Sequence, residues 1–255
     1  MMLRVEQVTK TFGGLVAVSD LSLDLGMAPI TGLVGPNGSG KTTLFHLLTG
    51  FYTLDRGRAF YGDKEISGLA PHLISRMGLV RTFQQTRVLP FLTVRENLLS
   101  AIPAQTGENL LSLFFRPGQI RREERQNRVK AMEVLETMRL APLSDELSGR
   151  LSYGQQKLLE LGRVLMADPK MILLDEPTAG INPQLIRQLV EVLRDLTGQG
   201  AQVFLIEHNM PLVAEICDQI FVMDAGKLIF SGSPSEAIKD LKVIEAYLGK
   251  ADHAS

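Results

Sequence analysis

Gly35-Pro36-Asn37-Gly38-Ser39-Gly40-Lys41-Thr42 follows the apolar run Ile30-Thr31-Gly32-Leu33-Val34 and opens onto Thr43-Leu44-Phe45-His46-Leu47-Leu48. An apolar strand, a glycine-rich turn and a helix beginning at Lys-Thr satisfy the pattern G-x-x-x-x-G-K-[ST] in the context it requires. The three glycines let the backbone fold closely around an anion and aim N–H groups at it, and the helix N-terminus adds a favourable dipole. Lys41 is placed to neutralise the terminal phosphates and Thr42 to ligate Mg2+. The stretch predicts an ATP site on a strand–helix unit.

The same rhythm recurs along the chain. Met171 to Leu174 and Val203 to Ile206 are, like Ile30 to Val34, continuous apolar runs of the kind buried on both faces of a sheet. Helical patterns follow each run, at Lys41 to Leu48, Pro183 to Leu196 and Met210 to Cys217. Strand followed by helix, repeated, predicts a mainly parallel sheet with helices on both sides. The N-terminal segments LRVEQV, VSDLSLDL and RAFYGD alternate and are joined by turns, so they predict an antiparallel β subdomain; the Asp224-Ala225-Gly226-Lys227 turn predicts one more hairpin beside it. From Thr93 to Ala167 the strand signal disappears, and Thr93-Val94-Arg95-Glu96 has capping-box spacing. An α-helical subdomain is expected there, with Val129, Met132, Leu135 and Met138 as the apolar stripe of one helix. Pro103 to Gly118 carries no assignable pattern.

Composition narrows the function classes. A net charge of −1 argues against a nucleic-acid footprint, which needs basic charge. No apolar stretch approaches the ~20 residues of a membrane span, and the start MMLRVEQVTKTF has no signal-peptide core. Cys217, the single cysteine, lies among apolar residues and reads as a buried small side chain suited to a reducing compartment. Arg116 to Lys130 is rich in Arg and reads either as a solvated helix face or as a face toward a membrane or partner.

Three further sites carry chemistry. Met171-Ile172-Leu173-Leu174-Asp175-Glu176-Pro177 ends an apolar strand in two adjacent carboxylates, which are costly without a cation nearby. Asp175 fits a carboxylate reaching Mg2+, and Glu176 a group that polarises the attacking water. His208 follows the apolar strand Val203 to Ile206 at the edge where parallel sheets bind ligands; it reads as a phosphate or water contact, or as a structural ring. Ser152-Tyr153-Gly154-Gln155 has the Ser-x-x-Gln spacing of a capping box, and reads either as helix initiation alone or as a second anion site.

The ordered set GPNGSGKT, RTFQ, LSYGQ, ILLDEP and IEH resembles the ATP-binding cassette family, the ATPase subunits of ABC transporters, over Leu3 to about Gly249. The resemblance implies a P-loop NTPase (RecA-like) core at 3–92 and 168–249, a helical subdomain at 93–167 ending in the signature helix, and a tail at 250–255. In that family two subunits sandwich each ATP between one chain's phosphate loop, here Gly35 through Thr42 with Thr43, and the other chain's signature segment. Ser152, Gly154 and Gln155 would then act in trans. Phe12 would stack on adenine, the alternative being a core aromatic; Gln84 would touch Mg2+ and water, Glu176 would be the general base and His208 the γ-phosphate switch.

TFGGLVAVSDLSL, VRTFQQTRVLPFLTVRENLL, AGINP, LIEHNM and VIEAYLG are similar to the ATP-binding subunits of branched-chain amino-acid importers, with the ATPases of lipopolysaccharide export and urea uptake as near relatives. The resemblance implies a second ABC ATPase subunit and transmembrane permeases as partners, no nucleic acid, and a peripheral place on the cytoplasmic side of the inner membrane. Coupling would use Arg87, Phe91 and the helix at Thr93. Two residues depart from the common pattern: Tyr153 stands where many members have Gly, and Asn182 where Asp is common. The rival class, soluble ABC-type ATPases of nucleic-acid or translation work, usually shows paired cassettes, a long coiled coil or basic surfaces. A small-molecule kinase would leave LSYGQ unexplained.

Overall fold

The computed structural model describes residues 2–82, 88–103 and 117–248. Gln84 and Arg87 lie outside the described residues. The chain divides into two compact units, one of Met1–Arg81, Lys170–Ala179 and Leu193–Ser255, the other of Thr82–Pro169 and Gly180–Val192.

In the first unit the three uninterrupted apolar runs form adjacent inner strands: β3 (Ile30–Val34), β7 (Met171–Asp175) and β8 (Gln202–Ile206), every residue of which is buried. Strands covered on both faces need no polar alternation, which is why they read as solid apolar blocks. The six-stranded sheet has the order β10-β9-β3-β8-β7-β6, with β6 (Leu79–Arg81), β9 (Gln219–Asp224) and β10 (Lys227–Gly232) completing it. All neighbours pair in parallel except β9 and β10. The hairpin turn at Asp224–Lys227 is present, but its first strand belongs to the parallel sheet, paired to β3, and not to the β subdomain expected from its sequence. Pairing to β3 is a non-local event that the segment IFVM cannot announce.

A second, antiparallel sheet has the order β2-β1-β4-β5, with β1 (Leu3–Phe12), β2 (Leu15–Asp24), β4 (Arg56–Tyr61) and β5 (Lys64–Glu65). The core joins both sheets through Leu3, Val5, Leu33, Phe45, Phe204 and Phe221, with α1 (Lys41–Leu48) contributing Leu44, Phe45, Leu47 and Leu48. Short α2 (Pro71–Arg76) precedes β6.

Among its described residues the second unit holds helices and no strand, with one isolated bridge between Thr93 and Leu147. Its described helices are α3 (Val94–Leu99), α4 (Pro117–Thr137) and α5 (Tyr153–Leu165). Thr93 and Glu96 form the expected capping box. The buried stripe of α4 and the turn after it runs through Ala131, Leu135 and Met138, while Val129 is 55% exposed. The expected stripe fails at Val129 because nine residues at 100° each put it about 180° from Met138. Steps of three drift around a helix; the i, i+4, i+7 set holds one face.

Helix α6 (Pro183–Gly198) contributes to both units, and α7 (Met210–Ile216), α8 (Pro234–Ala237) and α9 (Leu241–Leu248) complete the first. Among the described residues, no helix is long and apolar enough to cross a membrane.

Candidate functional site

Strands β3, β7 and β8 run parallel, with Leu33 level with Ile206 and Asp175 level with Ile206, so their C-terminal ends share one edge. β3 delivers the loop Gly35–Thr42 there, β7 delivers Asp175 and Glu176, and β8 delivers Glu207 and His208. This is the edge where open parallel sheets bind ligands.

The loop is built from contacts that only glycine permits at two points. A Cβ on Gly35 (φ 145°) would lie 2.0 Å from the Met223 carbonyl oxygen, and one on Gly40 (φ 100°) 2.3 Å from the Ala17 carbonyl oxygen. The loop is also tied to β9–β10, since the Gly226 N–H donates to the Ser39 carbonyl at 3.1 Å. Lys41 is buried, and its Nζ donates to the Gly35 carbonyl (2.8 Å), the Pro36 carbonyl (2.9 Å) and Ser39 Oγ (3.3 Å). Helix α1 starts at Gly40 with no side-chain cap and no acidic residue in its first turn. Helical geometry leaves the first N–H groups without an intrahelical acceptor, and no acidic residue of this first turn competes for them. Thr42 is exposed and Thr43 half-buried at this start.

The cation that the acidic strand end requires is Arg81, the last residue of β6. Its Nη2 donates to Asp175 Oδ2 at 2.6 Å, and both side chains are buried. Burial pulls the Arg81 guanidinium below its ordinary value, and the Asp175 charge opposes that shift. Asp175 Oδ1 is buried with no hydrogen-bond partner. One unused carboxylate oxygen and the Thr42 hydroxyl are hard oxygen donors of the kind Mg2+ takes. Among the described residues no cluster of three or more His, Cys, Asp or Glu would hold a metal unaided. A metal here would complete its shell from phosphate and water, as Mg2+ commonly does.

Glu176 sits in the left-handed region at φ 47°. Its N–H donates to the Ile206 carbonyl (3.0 Å), and its own carbonyl accepts from Ala179 N–H (3.2 Å). His208 is exposed beyond β8. Phe12 is 40% exposed at the end of β1, so it is not a core aromatic. Tyr52 meets it edge to face with centroids 5.1 Å apart, and Lys10 Nζ lies 5.2 Å from its ring centroid. Lys10 is itself held by Asp55 at 2.8 Å, and Asp55 also accepts the Thr11 N–H at 2.7 Å. Those two hydrogen bonds, Lys10 first, hold the Asp55 carboxyl below its usual range.

In the second unit, Ser152 caps α5. Ser152 Oγ accepts the Gln155 N–H at 3.3 Å, and Gln155 Oε1 accepts the Ser152 N–H at 2.9 Å. The box is closed, yet a serine hydroxyl that accepts still has its own proton to donate. Tyr153 is exposed, with its ring lying against Gly180, while Gly154 is buried and a Cβ there would meet Leu185 Cδ1 at 2.2 Å. Asn182, in place of the common Asp, accepts the Leu185 N–H at 3.0 Å and so starts α6 by hydrogen bonding without charge.

Arg81, Tyr52 and Glu207 were not singled out from sequence. The one available signal was the acidic end of β7, Asp175-Glu176, which called for a cation without saying which.

A glycine-rich loop between a buried parallel strand and an uncapped helix, with a buried Asp at the end of a nearby strand, defines a nucleotide-binding ATPase of the phosphate-loop class. The family model described as ABC transporter matches residues 18–179. The chain is 39% identical over 251 residues, 98% of its length, to the probable branched-chain amino acid transport ATP-binding protein LivG of Archaeoglobus fulgidus, of which 96% is covered. It is also 39% identical over 98% of both chains to the high-affinity branched-chain amino acid transport ATP-binding protein BraF of Pseudomonas aeruginosa. Among solved structures, the ADP conformation of MJ1267, an ATP-binding cassette of an ABC transporter, superposes with TM-score 0.81 at 36% identity over 97% of this chain and 98% of that one. A nucleotide-free ATP-binding cassette from an ABC transporter gives TM-score 0.82 at 37% identity over 97% and 98%. The chain belongs to the ABC transporter family and is an ABC-type ATPase.

Proposed function

We propose that this chain is the ATP-binding and ATP-hydrolysing subunit of a branched-chain amino-acid importer, held on the cytoplasmic face of the inner membrane by permease subunits. The observation that carries the reading is the convergence of the Gly35–Thr42 loop, Asp175 with its partnerless Oδ1, and His208 at the ends of three neighbouring strands. The cargo rests on the names of relatives that match almost the whole chain.

Lys41 holds its ammonium against loop oxygens and exchanges them for the β- and γ-phosphate oxygens of ATP, a swap of acceptors around a charge that stays desolvated. Thr42 and Asp175, with Gln84 by the family resemblance, would hold Mg2+, and the ion would supply charge neutralisation at the phosphates. Glu176 takes the proton of the attacking water as its oxygen bonds the γ-phosphorus and the bond to the β,γ-bridging oxygen breaks, giving ADP and phosphate. His208 contacts the γ-phosphate. Phe12 stacks on the adenine, with Tyr52 bracing its edge.

A second ABC subunit presents its signature segment to this nucleotide, and Ser152, Gly154 and Gln155 of this chain serve the partner's site in return. Loss of the γ-phosphate weakens that interface and turns chemistry into movement. The permease docks beside Phe91, 90% exposed, and α3.

The test is ATP turnover and partner capture with the full chain. Lys41→Ala and Glu176→Gln each cut turnover by at least about 10²-fold, and Glu176→Gln with ATP forms the dimer. Affinity purification from membrane extracts recovers permease subunits whose reconstitution transports leucine, isoleucine or valine. Wild-type hydrolysis by both variants, or recovery of ribosomal partners alone, contradicts the reading.

A further inference from the structure

Glu207 is the last buried residue before His208, 1% exposed, and among the described residues it forms no ion pair. It follows the run Val-Phe-Leu-Ile, where another apolar side chain would avoid the cost of burying a charge. Its carboxylate is instead spent on two segments of the site. Oε1 accepts both the Thr178 N–H (3.1 Å) and the Thr178 hydroxyl (2.5 Å), and Oε2 accepts the His208 N–H (3.3 Å).

Thr178 lies two residues beyond Glu176, whose left-handed backbone costs a non-glycine residue about 1–2 kcal/mol. Such a conformation persists only where its surroundings over-determine it. Here the turn is fixed at one end by Glu176 N–H to the Ile206 carbonyl and at the other by Thr178 on Glu207. Both anchors belong to the end of β8. The same carboxylate that closes this turn also holds the backbone of His208.

We infer that Glu207 is a positioning residue for hydrolysis, a buried carboxylate clamp that fixes the turn carrying Glu176 and the backbone of His208 to one another. This rests on the roles proposed above for Glu176 and His208. Because the hydrogen bonds are to an anion, they are stronger than neutral ones and leave neither segment able to move alone. The clamp binds no nucleotide itself.

Glu207→Gln keeps the volume and one acceptor but turns an amide N–H2 toward one of the donors. Thr178→Val removes the hydroxyl donor and keeps the backbone arm. In the full chain, Glu207→Gln is expected to lower kcat for ATP about 10- to 100-fold while KM for ATP and the thermal midpoint stay near wild type. Thr178→Val is expected to lower kcat by less, and the double variant to be no slower than Glu207→Gln alone, because both break one clamp.

Wild-type kcat in Glu207→Gln, a rise in KM in step with the fall in kcat, or additive losses in the double variant overturns the proposal. Should Glu207→Gln fail to fold, Thr178→Val decides: a fall in kcat at constant KM supports the clamp, and no change overturns it. An inactive Glu176→Gln beside a fully active Glu207→Gln removes the clamp and leaves the proposed function standing. Full activity in Glu176→Gln removes the function on which the clamp depends.

Discussion

Two helix starts, one in each unit, meet the same physical problem in opposite ways. α1 begins at Gly40, a residue with no side chain and a left-handed backbone, and among the described residues no side chain caps it. α5 begins at Ser152, whose hydroxyl and main-chain N–H are both engaged with Gln155 in a closed box. The first points its backbone N–H groups where an anion is favoured. The second engages two of its backbone donors, those of Ser152 and Gln155, internally and keeps one hydroxyl proton to offer. The difference separates the start proposed to hold nucleotide on its own from the one proposed to serve a site completed by another chain.

The sharpest way to break the comparison is to remove the charge at the open start. Lys41→Ala should reduce ATP turnover about 10²- to 10³-fold, by analogy with loss of one preorganised donor to a developing charge. Filter binding of labelled ATP should fall with it, while urea unfolding changes little. A comparable loss of ATP binding in Ser152→Ala would erase the distinction between the two starts.

The next effect falls on the support behind the open start. Arg81→Met leaves Asp175 buried and unpaired, and breaking such a pair costs about 3–5 kcal/mol in unfolding free energy. The paired variant Arg81→Met with Asp175→Asn should recover part of that stability without recovering turnover. Urea titration beside an activity assay separates the two.

A smaller effect belongs to the closed start. Ser152→Ala removes the cap acceptor and should cost about 1 kcal/mol of stability. Ser152→Asp should restore stability, since a carboxylate caps as well, while failing to restore turnover, because it repels phosphate and has no proton to donate. Thermal unfolding and turnover thus part company at this residue.

The smallest effect lies under β3, where Cys217 Sγ would be 3.0 Å from a Cβ on Gly32. Burial, then the charges of Asp218 and Glu207, push the thiol up to about 12. A raised folded pKa contributes stability below the unfolded thiol's ordinary range, and that stability is lost as pH rises toward 12. Urea midpoints of the wild type should therefore decline between about pH 8.5 and 10. Cys217→Ala should flatten that decline.

Much of the open start was legible because its signals are local. The run Ile30–Val34, the loop and α1 are contiguous, and strands buried on both faces announce themselves as solid apolar blocks. The capping boxes at Thr93 and Ser152 were legible for the same reason, each needing only four residues. What escaped depends on distance along the chain. Arg81 meets Asp175 across 94 positions and Thr178 meets Glu207 across 29, and nothing in either neighbourhood marks the partner. β6 is three residues long, too short for any periodicity. Phe12 looks alike in sequence whether buried or exposed, and only the end of β1 beside Tyr52 decides between them. Gln84, resting on family likeness, lies outside the described residues.

The central claim is that the open start of one chain and the closed start of another make one hydrolytic site. Mixing Lys41→Ala chains with Ser152→Arg chains tests it directly, since each variant spoils a different half. Each alone should be inactive, and the mixture should regain ATP turnover through the composite site that carries an intact Lys41 from one chain and an intact Ser152 from the other. A mixture no more active than its parts, or wild-type turnover by Ser152→Arg chains alone, would contradict the account.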